Sequence, residues 1–92
     1  MIVSFRHRGL ELLYRKDSLQ GVRPDQGAKL RRILAVLDVA AIPADVDLPG
    51  YRLHELKGDQ NGRWSVRVNG NWRVTFRFVG TDVELLDLED YH

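Results

Sequence analysis

Between Trp64 and Phe78 the chain alternates apolar and polar residues almost without a break. Trp64, Val66 and Val68 recur at every second position, with Ser65 and Arg67 between them. After Asn69-Gly70 the alternation resumes in Trp72, Val74, Phe76 and Phe78, with Arg73, Thr75 and Arg77 between. Successive side chains of a strand point to opposite sides of its sheet, so a period of two predicts two half-buried strands. Asn and Gly both tolerate positive φ, and Asn69-Gly70 therefore predicts the hairpin turn joining them. The hairpin has one apolar face, on which Trp64 and Trp72 read as core, and one basic face carrying Arg67, Arg73 and Arg77.

The rest of the chain supplies a cover for the apolar face. Ile2 to Phe5 reads as a short strand. Leu10, Leu13 and Tyr14 fall at helical spacing and predict a helix from near Arg8 to Lys16, weakened by Gly9, with His7 capping its start at the surface. Leu30, Ile33, Leu34 and Leu37 form an i, i+3, i+4, i+7 stripe, predicting a second helix from about Asp25 to Ala41, with Pro24 tolerated at its entry. Pro43, Pro49 and Gly50 punctuate a connector. Tyr51 to Leu56 reads as a strand with His54 on the side of Arg52 and Leu56. The turn formers from Lys57 to Arg63 predict a loop, with Arg63 at its end. Gly80-Thr81-Asp82 predicts a turn before a last strand from Val83 to Leu88, whose final core residues are Leu86 and Leu88. The expected fold is α+β: two N-terminal helices packed on one face of an antiparallel-rich sheet, the other face left open, in one domain spanning residues 1–92.

Composition narrows the function classes. The chain has no cysteine, which excludes disulfides and thiolate chemistry. No stretch approaches the ~20 apolar residues of a membrane-spanning helix. Charge appears too early, at Arg6, for a secretory signal, and a cytoplasmic location is the expectation. Net charge is only +1, but it is unevenly spread. Residues 52–77 hold six basic and two acidic side chains, whereas residues 82–90 hold five acids and no base. A local basic patch suffices to bind a polyanion.

The chemistry-bearing residues are His54, Lys57, Arg73, Asp90, Tyr91 and His92. Pairing of the last strand within the sheet would let the end of the chain approach His54. RNA cleavage without a metal needs a base for a 2′-hydroxyl, an acid for the departing 5′-oxygen and cations for the charge on phosphorus. Histidine titrates near neutrality and serves either proton-transfer role. Arg and Lys supply fixed charge, and an aromatic ring can stack on an unpaired base. Two other readings stay open at this level: His54, Asp90 and His92 as metal ligands, although their spacing matches no metal signature, and Asp90 as a solubilising acid.

Five segments together carry a family resemblance: Ser4-Phe5-Arg6-His7-Arg8-Gly9-Leu10; Arg52-Leu53-His54-Glu55-Leu56-Lys57-Gly58-Asp59; Trp64-Ser65-Val66-Arg67-Val68; Asn71-Trp72-Arg73-Val74-Thr75-Phe76; and Glu89-Asp90-Tyr91-His92. They span the chain in order, and it resembles the HigB toxins, a branch of the RelE/ParE superfamily of bacterial toxin–antitoxin modules. The resemblance implies a RelE-like fold and a ribosome-dependent mRNA endonuclease that cuts in the A site by 2′-hydroxyl attack, without cofactor or metal. It places His54, Asp90, Tyr91 and His92 in catalysis. Asp90 and His92 would move protons, His54 would act as a second acid/base or orienting group, and Tyr91 would stack on or position a base. Lys57 and Arg73 would hold phosphate, and Arg67 and Arg77 would add contacts to RNA. The implied partners are the 70S ribosome with its mRNA and a cognate HigA-like helix-turn-helix antitoxin, through which alone the toxin would meet DNA. Two alternatives share this fold: a ParE-like gyrase inhibitor, and a decayed toxin that only binds its antitoxin.

Overall fold

The computed structural model describes residues 1–60 and 62–91. Its first helix, α1 (Arg8–Lys16), begins where His7 Nδ1 accepts a hydrogen bond from the Leu10 N–H at 3.2 Å, so His7 is the cap expected of it. The second, α2 (Gly27–Val39), is shorter at both ends than the apolar stripe suggested. Pro24–Gln26 instead forms a separate 3₁₀ turn, because the proline ring suits a tight first turn. Leu30, Ile33, Leu34 and Leu37 are all buried, as their spacing requires.

Four strands pair antiparallel in sequence order: β1 (His54–Glu55), β2 (Arg63–Arg67), β3 (Trp72–Val79) and β4 (Asp82–Asp90). The helices cover one face, where Val66, Val68, Val74, Phe76, Val83, Leu86 and Leu88 are buried in one core with Leu10, Leu13 and the α2 stripe. Trp64 and Trp72 are only half-buried, packed against the edge of that core. Burying these side chains removes apolar surface from water at roughly 25 cal/mol per Å², the main force holding the two layers together. Among the described residues no helix is long and apolar enough to cross a membrane.

Three details differ from the sequence reading. The strand expected over residues 51–56 shrinks to two residues, because Arg52 lies in the left-handed region at φ 51° and breaks the extended run. Leu56 is buried while His54 and Arg52 are exposed, so the three do not share one environment. The segment expected as a first strand pairs with β4 in parallel, through bridges Ile2–Val83 and Phe5–Leu86. Between those bridges the β3–β4 register slips, and Leu85 takes φ 58°. The extra residue is a bulge, and it puts both Val83 and Leu86 on the helix side, although strict alternation would separate them. The Leu85 N–H, displaced from the ladder, donates to Ser4 Oγ at 2.9 Å.

The third correction concerns the far face. It was expected to be open, yet Ser65 and Thr75 are 1% and 0% exposed. Arg63, expected at the end of a loop, is the first residue of β2 and only 6% exposed. The loop ends earlier because the Leu56 N–H donates to the Arg63 carbonyl at 2.8 Å, which extends the β1–β2 ladder to that position.

Candidate active site

Cross-strand register places the candidate side chains. His54 pairs with Ser65, Ser65 with Thr75, and Thr75 with Asp87, so these four form a row across the far face. A second row, toward the β2–β3 hairpin, contains Arg67, Arg73 and Glu89. A third, toward the opposite end, contains Arg63, Arg77 and Glu84. Two pairs of arginines therefore stand directly opposite one another on one face. Like charges so placed destabilise a sheet unless something negative answers them.

Part of the answer comes from β4. Arg77 Nε donates to Glu84 Oε1 at 2.9 Å, an exposed ion pair. Arg63 Nη2 donates to Thr75 Oγ1 at 2.7 Å and to the Leu85 carbonyl at 3.1 Å. Thr75 Oγ1 in turn donates to Glu89 Oε2 at 2.6 Å. Burial holds the Arg63 pKa below the usual guanidinium value; the charge of Arg6 acts in the same direction, and Glu89, Asp87 and Tyr91 oppose it. Arg67 and Arg73 make no ion pair with a carboxylate among the described residues. They are the positive charge left for a partner.

The proposed catalytic residues come from both edges of the sheet, β1 and the end of β4. At the hairpin end the Tyr91 N–H donates to the Asn71 carbonyl at 2.8 Å, and the Tyr91 hydroxyl is buried with no partner among the described residues. The ring therefore lies with its polar end against the protein, and only the remainder is offered to a base. Asp90 pairs with Trp72, which places it on the helix-side register and not on that of His54 and Arg73. His54 shares the far face but sits on β1, three strand spacings from β4, about 14 Å at the usual ~4.8 Å per strand. Between the backbones of His54 and of β4 lie β2 and β3. Lys57 follows β1 toward the Arg63–Arg77 end, away from the hairpin. His92 lies outside the described residues. Among the described residues no group of three or more His, Asp or Glu side chains could hold a metal ion.

Two clefts stand out among the described residues. One of about 190 Å³ lies between the helices at Leu13, Tyr14, Arg31 and Asp38. The other, about 430 Å³, is lined by His7, Gln26, Trp72 and Leu88 among others. None of the described candidate residues lines either one. Arg63, Glu84, Asp87 and Glu89 are charged residues of the far face that the sequence did not place there. Extending the alternation of Ser65 and Arg67 one step back would have put Arg63 on it.

The family model described as RelE-like toxin of type II toxin-antitoxin system HigB matches residues 3–92. The chain belongs to this family. It is 41% identical over 92 residues to "Endoribonuclease HigB" of Proteus vulgaris, covering 100% of both chains. It is 33% identical over 82 residues to "Toxin HigB-1" of Vibrio cholerae serotype O1, covering 86% of this HigB-like chain and 85% of that one. Among solved structures it is similar in fold to a YafQ mutant from E. coli, with TM-score 0.63 at 16% identity over 98% of this chain and 91% of that one. A YoeB/ParE toxin from Agrobacterium tumefaciens aligns with TM-score 0.51 at 20% identity, covering 99% and 98%. At those identities the likeness is one of fold, and it agrees with two helices on an antiparallel sheet. Both the family and the fold expected from the five sequence segments are thus borne out.

Proposed function

We propose that this HigB-like toxin is an endoribonuclease that cuts mRNA held in the ribosomal A site and so stops translation. The observation that carries the reading is the Arg67–Arg73 pair, directly opposed across β2 and β3 and without a carboxylate partner among the described residues. An RNA strand laid along the far face supplies the missing negative charge, and release of its counterions drives binding. The full-length similarity to a protein named an endoribonuclease supports the reaction class.

The mechanism uses the chain's own side chains, without metal or cofactor. A general base takes the proton from the 2′-hydroxyl, whose oxygen attacks the adjacent phosphorus. The bond to the 5′-oxygen breaks, and a general acid protonates that oxygen, leaving a 2′,3′-cyclic phosphate. His92 and Asp90 move these protons, and Tyr91 positions the flanking base. Arg73 holds the charge that builds on the phosphoryl oxygens, and Arg67 and Arg77 contact RNA. His54 and Lys57, toward the β1 edge, act on the substrate from the opposite side of the face. Because the candidates come from both edges of the sheet, the substrate needs an outside scaffold that bends it across them, and the ribosome is that scaffold. The toxin works in the cytoplasm as one domain, restrained by a cognate HigA-like helix-turn-helix antitoxin.

A purified translation system with mapping of mRNA 5′ ends, run with and without ribosomes, tests this. Cuts should appear in the A-site codon only when ribosomes are present. Equal rates on free RNA, or inhibition of gyrase supercoiling without any mRNA cleavage, would overturn it.

A further inference from the structure

Arg63 presents a physical problem that the cleavage reaction does not use. Long charged side chains are almost never fully buried unless paired, and burying a charge costs several kcal/mol. Arg63 is nonetheless only 6% exposed, and its Nε and Nη1 have no hydrogen-bond partner among the described residues. The one nitrogen that is engaged, Nη2, reaches two places at once: the Thr75 hydroxyl, and the Leu85 carbonyl at the β4 bulge. Thr75 hands the interaction on to the Glu89 carboxylate. Glu89 is two residues before Tyr91, which is near enough to act on the Arg63 guanidinium and whose hydroxyl is itself buried with no partner among the described residues. Asp87, Glu89, Tyr91 and Arg6 are the charged and titratable groups near enough to act on the guanidinium.

We propose that Arg63 is a positioning residue: from β2 it grips β4 at the Leu85 bulge and at Glu89, and so sets where Tyr91 lies on the basic face. A bulge frees one strand from its ladder and lets it slide or bend. Two hydrogen bonds from one planar guanidinium, 22 and 12 residues away in sequence, remove that freedom. Glu89 and Asp87 offset part of the cost of the charge that Arg63 brings under the surface. The structural part stands by itself; its consequence for cleavage rests on the function proposed above.

The test uses the full chain with Arg63→Lys, Arg63→Met, Thr75→Val, Tyr91→Phe and the Arg63→Met/Tyr91→Phe double variant. The first readout is amide hydrogen exchange at Tyr91, whose N–H donates to the Asn71 carbonyl. In Arg63→Met it should exchange about tenfold faster or more, the loss expected when a charge-assisted hydrogen bond is removed, while amides of the β2–β3 ladder stay unchanged. Arg63→Lys should restore part of the protection. If Arg63→Met does not fold, Thr75→Val breaks the same chain with little change in shape and must speed Tyr91 exchange in the same way. The second readout is cleavage of ribosome-bound mRNA: kcat should fall about tenfold with KM little changed, and the effect should shrink in the Tyr91→Phe background. Unchanged Tyr91 exchange in Arg63→Met or Thr75→Val, or losses that simply multiply in the double variant, would overturn the proposal. A wild-type protein that does not cut ribosome-bound mRNA would overturn the proposed function instead, and the exchange comparison would still decide the role of Arg63.

Discussion

Gly9 and Gly21 meet backbone to backbone: a Cβ on Gly9 would lie 2.0 Å from the Gly21 carbonyl oxygen. From the sequence, Gly9 only weakens α1. In the fold it is what lets the first helix touch the α1–α2 connector. Gly9→Ala improves helix propensity by ~1 kcal/mol. It also drives a methyl group into main chain that has no rotamer to give, and overpacking of this kind typically costs ~1–3 kcal/mol or more. The clash wins, so Gly9→Ala should lower the thermal midpoint, which a calorimetric or circular-dichroism melt will show. A midpoint at or above wild type would mean the connector moves freely.

The Tyr14 hydroxyl donates to Asp38 Oδ1 at 2.7 Å, and the Ile2 N–H donates to the same oxygen at 3.2 Å. The Tyr14 hydrogen bond, chiefly, holds Asp38 below the ordinary carboxylate range; the Ile2 N–H assists and partial burial opposes. A depressed folded pKa gives stability that is present above the unfolded value and lost as pH falls through the folded one. The same bond raises the Tyr14 pKa, so its contribution is present below about pH 10 and lost as pH climbs past the folded value. Tyr14→Phe should therefore cost roughly 1–2 kcal/mol at neutral pH. Denaturant titrations should show the gap between variant and wild type closing below about pH 4. A gap that is flat from pH 7 to pH 2 would remove the hydrogen bond from the account.

Arg73→Ala should slow cleavage of ribosome-bound mRNA more than Arg77→Ala. Arg77 is already paired with Glu84, whereas Arg73 faces Arg67. A preorganised charge on a developing phosphorane is commonly worth ~2–4 kcal/mol, or about 10²–10³-fold in rate. The melting midpoint of Arg73→Ala should change little, since relief of the like charge opposite on Arg67 is offset by loss of the opposite charge across from it on Glu89, each a few tenths of a kcal/mol. Equal rate losses in the two variants, measured in single turnover, would reduce Arg73 to a docking contact.

His92→Ala should slow single-turnover cleavage by about 10²–10⁴-fold, the usual contribution of a general acid or base. Truncation before Tyr91 should remove activity altogether but should not be silent in stability. Tyr91 bonds to Asn71 through its N–H and buries its hydroxyl, so the truncated chain should melt lower than His92→Ala. Cleavage at the wild-type rate by a folded truncated chain would take the end of the chain out of the mechanism.

Sequence alone was enough for the parts of this protein that depend on local periodicity. The period of two in Trp64 to Phe78, the stripe Leu30 to Leu37 and the Asn69-Gly70 turn each report which side of one element meets the core, and the core is where they predict. His7 is legible in the same way, because a cap acts within three residues of itself. Tertiary structure alone decided what happens between strands. The basic residues of 52–77 and the acids of 82–90 read as separate blocks, yet register sets Glu84 beside Arg77 and Glu89 beside Arg73. The slip at Leu85, the burial of Arg63 and the ~14 Å between His54 and β4 arise likewise from pairings of distant segments. Alternation tells a strand which side is apolar. It does not tell the strand which neighbour it will have, nor where an extra residue will bulge, because that choice is made by hydrogen bonds and packing between chains of residues far apart in sequence.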